Sequence, residues 1–251
     1  MRTDQRSGVV VTETSEAELL LQERIRQAQQ EAVSEVLLPV PSPDLVQQVV
    51  EDADGFAEAL TAKHRDSASP PVACSIGCSH CCYQLVSVSA PEVFRIVRYV
   101  RSSMPSEKME ELIGRVRGLD KATRGTTSKA RINIKKPCAF LESDGCCSIY
   151  PVRPLACSEF TSYNVQDCKR GKRIGFKPFG IIHEKARMIA FNAVRQGLQD
   201  GLAVAIPDAD TKWLELTAAI TAALDHPNPE QAWLRGENIF SKAHLNQSGN
   251  R

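Results

Sequence analysis

Four cysteines in nine positions, Cys74, Cys78, Cys81 and Cys82 of ACSIGCSHCC, constrain this chain more than any other feature it has. A fold must bridge so many neighbouring thiols, scatter them through a core, or give them a common ligand. A second dense group follows at Cys138, Cys146, Cys147 and Cys157, with Cys168 trailing. Cysteines used only as small buried hydrophobes would be dispersed along the chain, and these are not. Disulfides fit poorly too. The total of nine is odd, and adjacent residues such as Cys81 and Cys82 point their side chains apart.

The compartment bears on the same choice. The start, MRTDQRSGVVVTETSEAE, has a short valine run broken at once by acids, so no secretory leader is expected. No stretch reaches the roughly 20 apolar residues of a membrane helix. The chain therefore reads as cytoplasmic, with no membrane contact, in a setting that keeps thiols reduced. A metal remains. Thiolates are soft ligands suited to zinc and to iron–sulfur centres, commonly four at a time. Glycines beside cysteines, at Gly77–Cys78 and Gly145–Cys146, allow the tight backbone turns that let neighbouring sulfurs face one ion.

Around these loops the chain reads as mainly α, with a short β-hairpin and irregular Cys-rich loops packed among helices. Aromatics are only 6% of 251 residues, so a core must lean on Leu, Ile, Val and Ala. A helix is expected from Ser15 to Leu37, burying Leu19, Leu20, Ile25, Ala28, Ala32, Val36 and Leu37. A second, capped by Ser42 with Pro43 in its first turn, runs to about Lys63 and buries Val49, Phe56 and Leu60. These two form a hairpin, a dimerisation element or a lid. HRDSASPP reads as a linker. LVSVS alternates like a strand, and Ser89 with Glu92 makes a capping box for PEVFRIVRYVRSS. SEKMEELIGRVRGL continues as helix, whereas KATRGTTSKARINIKK looks polar and loop-like. SDG before Cys146 is a turn signal. Further helices are expected over IIHEKARMIAFNAVRQGLQDGL, from Asp208 to Leu224, and from about Pro229, with a frayed HLNQSGNR tail. The organisation follows: 1–70 is a helical extension and linker, 71–178 a cysteine-cluster metal-binding domain, and 179–251 a set of C-terminal helices packed on it.

The motifs C-x3-C-x2-C-C and P-C-x-F-L…D-G-C-C-S-I-Y-P-x-R-P-L-x-C, in that order, resemble the CxxCxxCC family of zinc- or iron-chelating cysteine-cluster proteins. That family is often labelled iron–sulfur cluster-containing. The resemblance covers about Cys74 to Cys168 and implies eight metal ligands: Cys74, Cys78, Cys81, Cys82, Cys138, Cys147, Cys157 and Cys168. Cys147 matches better than Cys146 because it precedes Ser-Ile-Tyr; Cys146 is then supernumerary, or the two are interchangeable as ligands. The first gap holds three residues where the family label has two, and Ser158 stands where similar chains carry arginine. The cofactor implied is an iron–sulfur cluster, 4Fe–4S in type, or zinc, with the cluster placed first. Cys81 and Cys82 are expected to serve different ions, or only one of them to ligate. His80 is more often a neighbour of such ligands than a ligand. Arg153 is a candidate to donate hydrogen bonds to sulfur or to pair with an acid.

A flagellin lysine methylase resembles this family too. The alternative function is therefore an iron–sulfur redox enzyme or a protein-lysine methyltransferase-like enzyme of the flagellin N-methylase type. No residue stands out as catalytic, and no G-x-G-x-x-G or P-loop run is present. Cys74, Cys78 and Cys81 also have the spacing of the radical S-adenosylmethionine loop, but further cysteines are available here to close the site. The net charge is +1, yet Arg95 to Lys185 holds roughly twice as many basic as acidic residues. The densest parts are Arg115 to Lys136 and the set Lys169, Arg170, Lys172, Arg173 and Lys177. Such charge offsets thiolates and suits an unidentified protein partner. Nucleic acid is not expected, because no recognition helix or aromatic-interleaved basic motif accompanies it.

Overall fold

In the computed structural model, residues 15–174 and 180–245 are described. The amino-terminal valine run, Lys177 and most of the HLNQSGNR tail lie outside them. The architecture among the described residues is mainly α: ten helices and one two-stranded antiparallel sheet.

Helix α1 (Glu16–Leu37) opens with a reciprocal capping box. The Ser15 Oγ accepts the Glu18 N–H while the Glu18 carboxylate accepts the Ser15 N–H. Helix α2 (Pro43–His64) starts at the expected Ser42, whose Oγ accepts the Leu45 N–H. The buried stripe of α1 differs from the expected one. Leu19, Leu20, Ala28 and Ala32 are exposed, and Ile25, Gln29, Val33 and Leu37 face inward at a spacing of four. The cause lies in its partner, α8 (Lys185–Ala205), which presents Gly197 and Gly201. A Cβ on Gly197 would sit 2.3 Å from the Arg26 carbonyl oxygen, and one on Gly201 2.6 Å from the Val33 Cβ. The two backbones meet where α8 has no side chains, and that contact selects the face of α1.

The Ser89–Glu92 box opens α3 (Ala90–Ser103) as expected, and α4 is Ser106–Thr123. Three corrections follow. The polar stretch taken for loop contains a short helix, α5 (Ser128–Asn133), capped by Thr127, and it buries Arg131. The helix expected from Asp208 begins only at Leu216, as α9 (Leu216–Asp225). The reason is β2 (Leu214–Glu215), which pairs with β1 (Ser87–Val88) in the register Ser87↔Glu215 and Val88↔Leu214. The Glu215 carboxylate then accepts the Ala218 N–H at 2.8 Å and starts the helix there. Helix α8 likewise starts later than expected, at Lys185, leaving Ile181 and Ile182 outside it. The shorter helix α10 (Pro229–Leu234) begins at the expected proline.

Helices α3 and α4 pack on α9, and α2 packs on α8 and α3. Phe94, Trp233 and Phe240 lock the junction, with Phe94 ring centroids 5.7 and 5.8 Å from the other two. This pairing sets the site, because the residues just after Cys82 lead straight into it: the Val86 carbonyl accepts the Leu216 N–H.

Candidate metal centre

Backbone contacts bring the two cysteine loops face to face. Gly77 (φ +83°) and Gly145 (φ +85°) both take the left-handed conformation that glycine allows at no steric cost. A Cβ on Gly145 would lie 2.9 Å from the Gly77 carbonyl oxygen. The Cys138 N–H donates to the Cys82 carbonyl at 2.6 Å, and the Ala73 N–H to Ser162 at 2.7 Å. The expected SDG turn is present: Glu142 N–H bonds the Cys146 carbonyl, and Asp144 Oδ1 accepts the Cys146 N–H. A single bridge between Leu141 and Cys147 closes it.

Two helices deliver the remaining cysteines. Helix α6 (Leu155–Glu159) carries Cys157 and is anchored by Glu92. Glu92 Oε2 takes the Ser89 N–H and hydroxyl, and its Oε1 reaches the Leu155 N–H at 2.8 Å, so one buried carboxylate caps both α3 and α6. Helix α7 (Val165–Ile174) buries Cys168. Lys135, at φ +57°, donates its ammonium to the last carbonyls of α7, those of Lys172 and Arg173.

The result is a cavity of about 400 Å3 lined by Cys78, Cys81, Cys82, Cys138, Cys146, Cys147 and Cys157. Its other walls are mainly apolar, among them Leu85, Val86, Phe140, Ile149, Phe160 and Leu216, and no Asp or Glu lines it. Cys74, which is exposed, and Cys168, which is buried, lie outside the lining. So does His80, whose Nδ1 is buried without a partner and whose ring is held below the usual histidine value by burial and by Lys172 and Lys169. All nine cysteines are free thiols. Among the described residues no three His, Cys, Asp or Glu side chains are already closed around one point.

Two opposed effects act on these thiols. Burial raises Cys138, to about 12, and raises Cys157, Cys147 and Cys168, while Cys74, exposed as a residue, is raised by partial desolvation of its sulfur. Backbone N–H groups work against it: Phe140 donates to Cys138, Ile149 to Cys147 and Ser162 to Cys74, each lowering its thiol. Cys81 is drawn below the ordinary thiol value chiefly by its hydrogen bond with Cys82, which is pushed up by the same bond. The sulfurs also feel one another. Cys157 is raised by Cys138, Cys81 and Cys147, and Cys82 by Cys81, Cys138 and Cys157. Cys168 is raised by Cys74, Cys78 and Cys81. Seven thiols around one pocket, with donors aimed at sulfur and no hard carboxylate, are a donor set for a soft metal and not for magnesium or calcium.

Sequence reasoning missed several parts of this site. Cys146, which sequence placed second to Cys147 as a ligand, lines the cavity beside it. The apolar wall comes partly from Leu216, far along the chain, and no local pattern announces it. Buried Arg131, whose guanidinium donates to the Lys136 carbonyl and acts on Cys138, was hidden in a stretch that looks like solvated loop.

Residues 73–174 match the model of the CxxCxxCC family, described as "Putative zinc- or iron-chelating domain". No curated protein and no solved structure matches the chain.

Proposed function

We propose that this chain, which matches the CxxCxxCC family model over residues 73–174, is a metal-binding protein that holds its metal through eight thiolates. The observation that carries the reading is the single cavity onto which seven cysteines from two distant loops converge with no carboxylate among them. The sulfurs influence one another across both loops: Cys81 acts on Cys74 and Cys168 on one side and on Cys147 and Cys157 on the other, so it stands between the cavity cysteines and the pair outside the lining. Adjacent side chains point apart, so vicinal Cys81 and Cys82 serve different ions, or only one of them ligates. Cys146, on the solvent side of the turn, is the ninth and is not required.

An iron–sulfur cluster is the occupant this reading places first, with zinc second. One zinc ion closed by four sulfurs leaves little empty volume, whereas a 400 Å3 cavity has room for a cluster that brings its own sulfides. When bound, such a group would supply electron storage or structural cross-linking; the protein supplies thiolates, aimed N–H donors and an apolar wall that limits water. Among the described residues no helix is long and apolar enough to cross a membrane. A reducing, cytoplasmic setting suits the free thiols, and the exposed basic residues of α7 suit an acidic protein partner.

The test is anaerobic purification followed by iron, acid-labile sulfide and zinc analysis of the wild type, Cys82→Ser, Cys157→Ser and Cys146→Ser. The proposal expects metal in the wild type and in Cys146→Ser, with most of it lost in the other two. Equal metal in all four, or none in the wild type, refutes it.

A further inference from the structure

Several partly buried arginines in this fold are matched to acids, and the fully buried Arg131 donates to the Lys136 carbonyl. Arg95 pairs with Asp54, Arg98 with Glu230 and Asp44, Arg187 with Glu58, and Arg195 with Glu159. Arg153 is different. It is the one charged residue lining the cysteine cavity among the described residues, and no carboxylate pairs with it. Its Nε donates to the Ser158 Oγ at 2.9 Å, and its guanidinium carbon lies 4.4 Å from the Tyr150 ring centroid. Ser158 is itself fixed. It is 4% exposed, sits in α6 one residue after Cys157, and its carbonyl accepts from Arg187. The hydroxyl and the ring therefore orient the planar fork, and its two terminal nitrogens have no partner among the described residues. The positive charge acts on four of the cysteines, Cys74, Cys81, Cys147 and Cys157, which come from both loops and from α6.

A half-buried cation with this much orientation and no acid is short of negative charge. Four thiolates on a divalent ion, or on a cluster, bring a net negative charge to the same cavity. We infer that Arg153, aimed by Ser158 and Tyr150, is a positioning residue of the metal centre that offsets thiolate charge and donates hydrogen bonds to sulfur. The inference rests on the metal-binding reading above and adds to it the residue that tunes the site. Arginine suits the task because its fork can address two sulfurs at once and cannot lose its proton; lysine offers the charge without the fork.

The experiment is a Co2+ titration of the full-length, reduced protein under anaerobic conditions. It follows the sulfur-to-cobalt charge-transfer band and competes the metal away with a chelator. Wild type, Arg153→Gln, Arg153→Lys and Ser158→Ala are compared. Groups that orient metal ligands from outside the ligand set are typically worth about 10- to 100-fold in metal affinity. Arg153→Gln is expected to bind about that much more weakly and to shift the charge-transfer band. Arg153→Lys should recover part of the loss, which a merely loosened fold would not do. Ser158→Ala should fall between lysine and wild type.

Affinity and band position in Arg153→Gln within about twofold of wild type would overturn the role of Arg153 and leave the metal reading standing. If Arg153→Gln loses its helical circular dichroism, the other two variants decide. Weaker binding in both supports the inference, and wild-type affinity in both overturns it. A wild-type chain that takes up no Co2+ through sulfur and also carries no iron, sulfide or zinc after anaerobic purification overturns the metal reading and this role with it.

Discussion

Gly145→Ala is the sharpest mechanical test of how the two cysteine loops are joined. Two costs add. At φ +85° an alanine is held in the left-handed region, which costs about 1–2 kcal/mol. Its Cβ would also lie 2.9 Å from the Gly77 carbonyl oxygen. Ordinary contact begins at 3.4 Å, so the loops must part by 3.4 − 2.9 = 0.5 Å. Both partners are backbone, and neither can rotate away. Overpacking of that kind adds about 1–3 kcal/mol. The sum is about 2–5 kcal/mol, which for a chain of this size lowers Tm by roughly 4–20 °C.

Two controls separate the terms. Gly125 has φ +72°, but an added Cβ meets nothing within 4 Å, so Gly125→Ala should show only the backbone cost, about 1–2 kcal/mol. Gly118, inside α4 with open space around it, should gain about 0.5–1 kcal/mol on becoming alanine. Denaturant unfolding of the metal-free protein gives the three values, and Zn2+ competition gives the affinity. Gly145→Ala alone should bind metal more weakly, because it alone parts the loop that carries Cys81 and Cys82 from the turn that carries Cys147. If Gly145→Ala is no more destabilised than Gly125→Ala and binds Zn2+ as the wild type does, the loops are not held in contact and the reasoning fails.

Glu92→Gln keeps one acceptor oxygen but must abandon either the α3 box or the Leu155 N–H. Losing a buried, charge-assisted bond should cost about 1.5–3 kcal/mol by denaturant unfolding and loosen Cys157; an unchanged midpoint would contradict the double cap. Metal uptake should weaken as pH falls. Burial raises Cys138, Cys147 and Cys157, so these thiols hold their protons near neutrality, and the metal must displace them. Apparent Zn2+ affinity should then drop by about tenfold per pH unit for each proton released, and a pH-independent affinity between about pH 8 and 6 would contradict thiolate ligation.

Local signals in this chain were legible where the cause was local. Ser42, Ser89 with Glu92, Pro229 and the SDG turn each act over a few residues, and each appears where its pattern stands. The clustering of cysteines pointed to a soft metal, and six of the eight expected cysteines line one cavity together with Cys146, whereas Cys74 and Cys168 lie outside the lining. What stayed hidden depended on distant partners. The face of α1 is chosen by two glycines of α8, so hydrophobic spacing alone picked Leu19 and Leu20, which are exposed. The start of α9 is set by a strand pairing with Ser87 and Val88. Arg131 in a basic stretch and Ser158 beneath Arg153 look like surface residues until the fold buries them.

The most direct test of the central claim is X-ray absorption at the iron and zinc edges of anaerobically purified protein. The account predicts a first shell of sulfur, at about 2.3 Å if the metal is zinc, and an added iron–iron shell if it is a cluster. A first shell dominated by oxygen or nitrogen would contradict thiolate ligation, and with it the reading of the cysteine cavity as a metal centre.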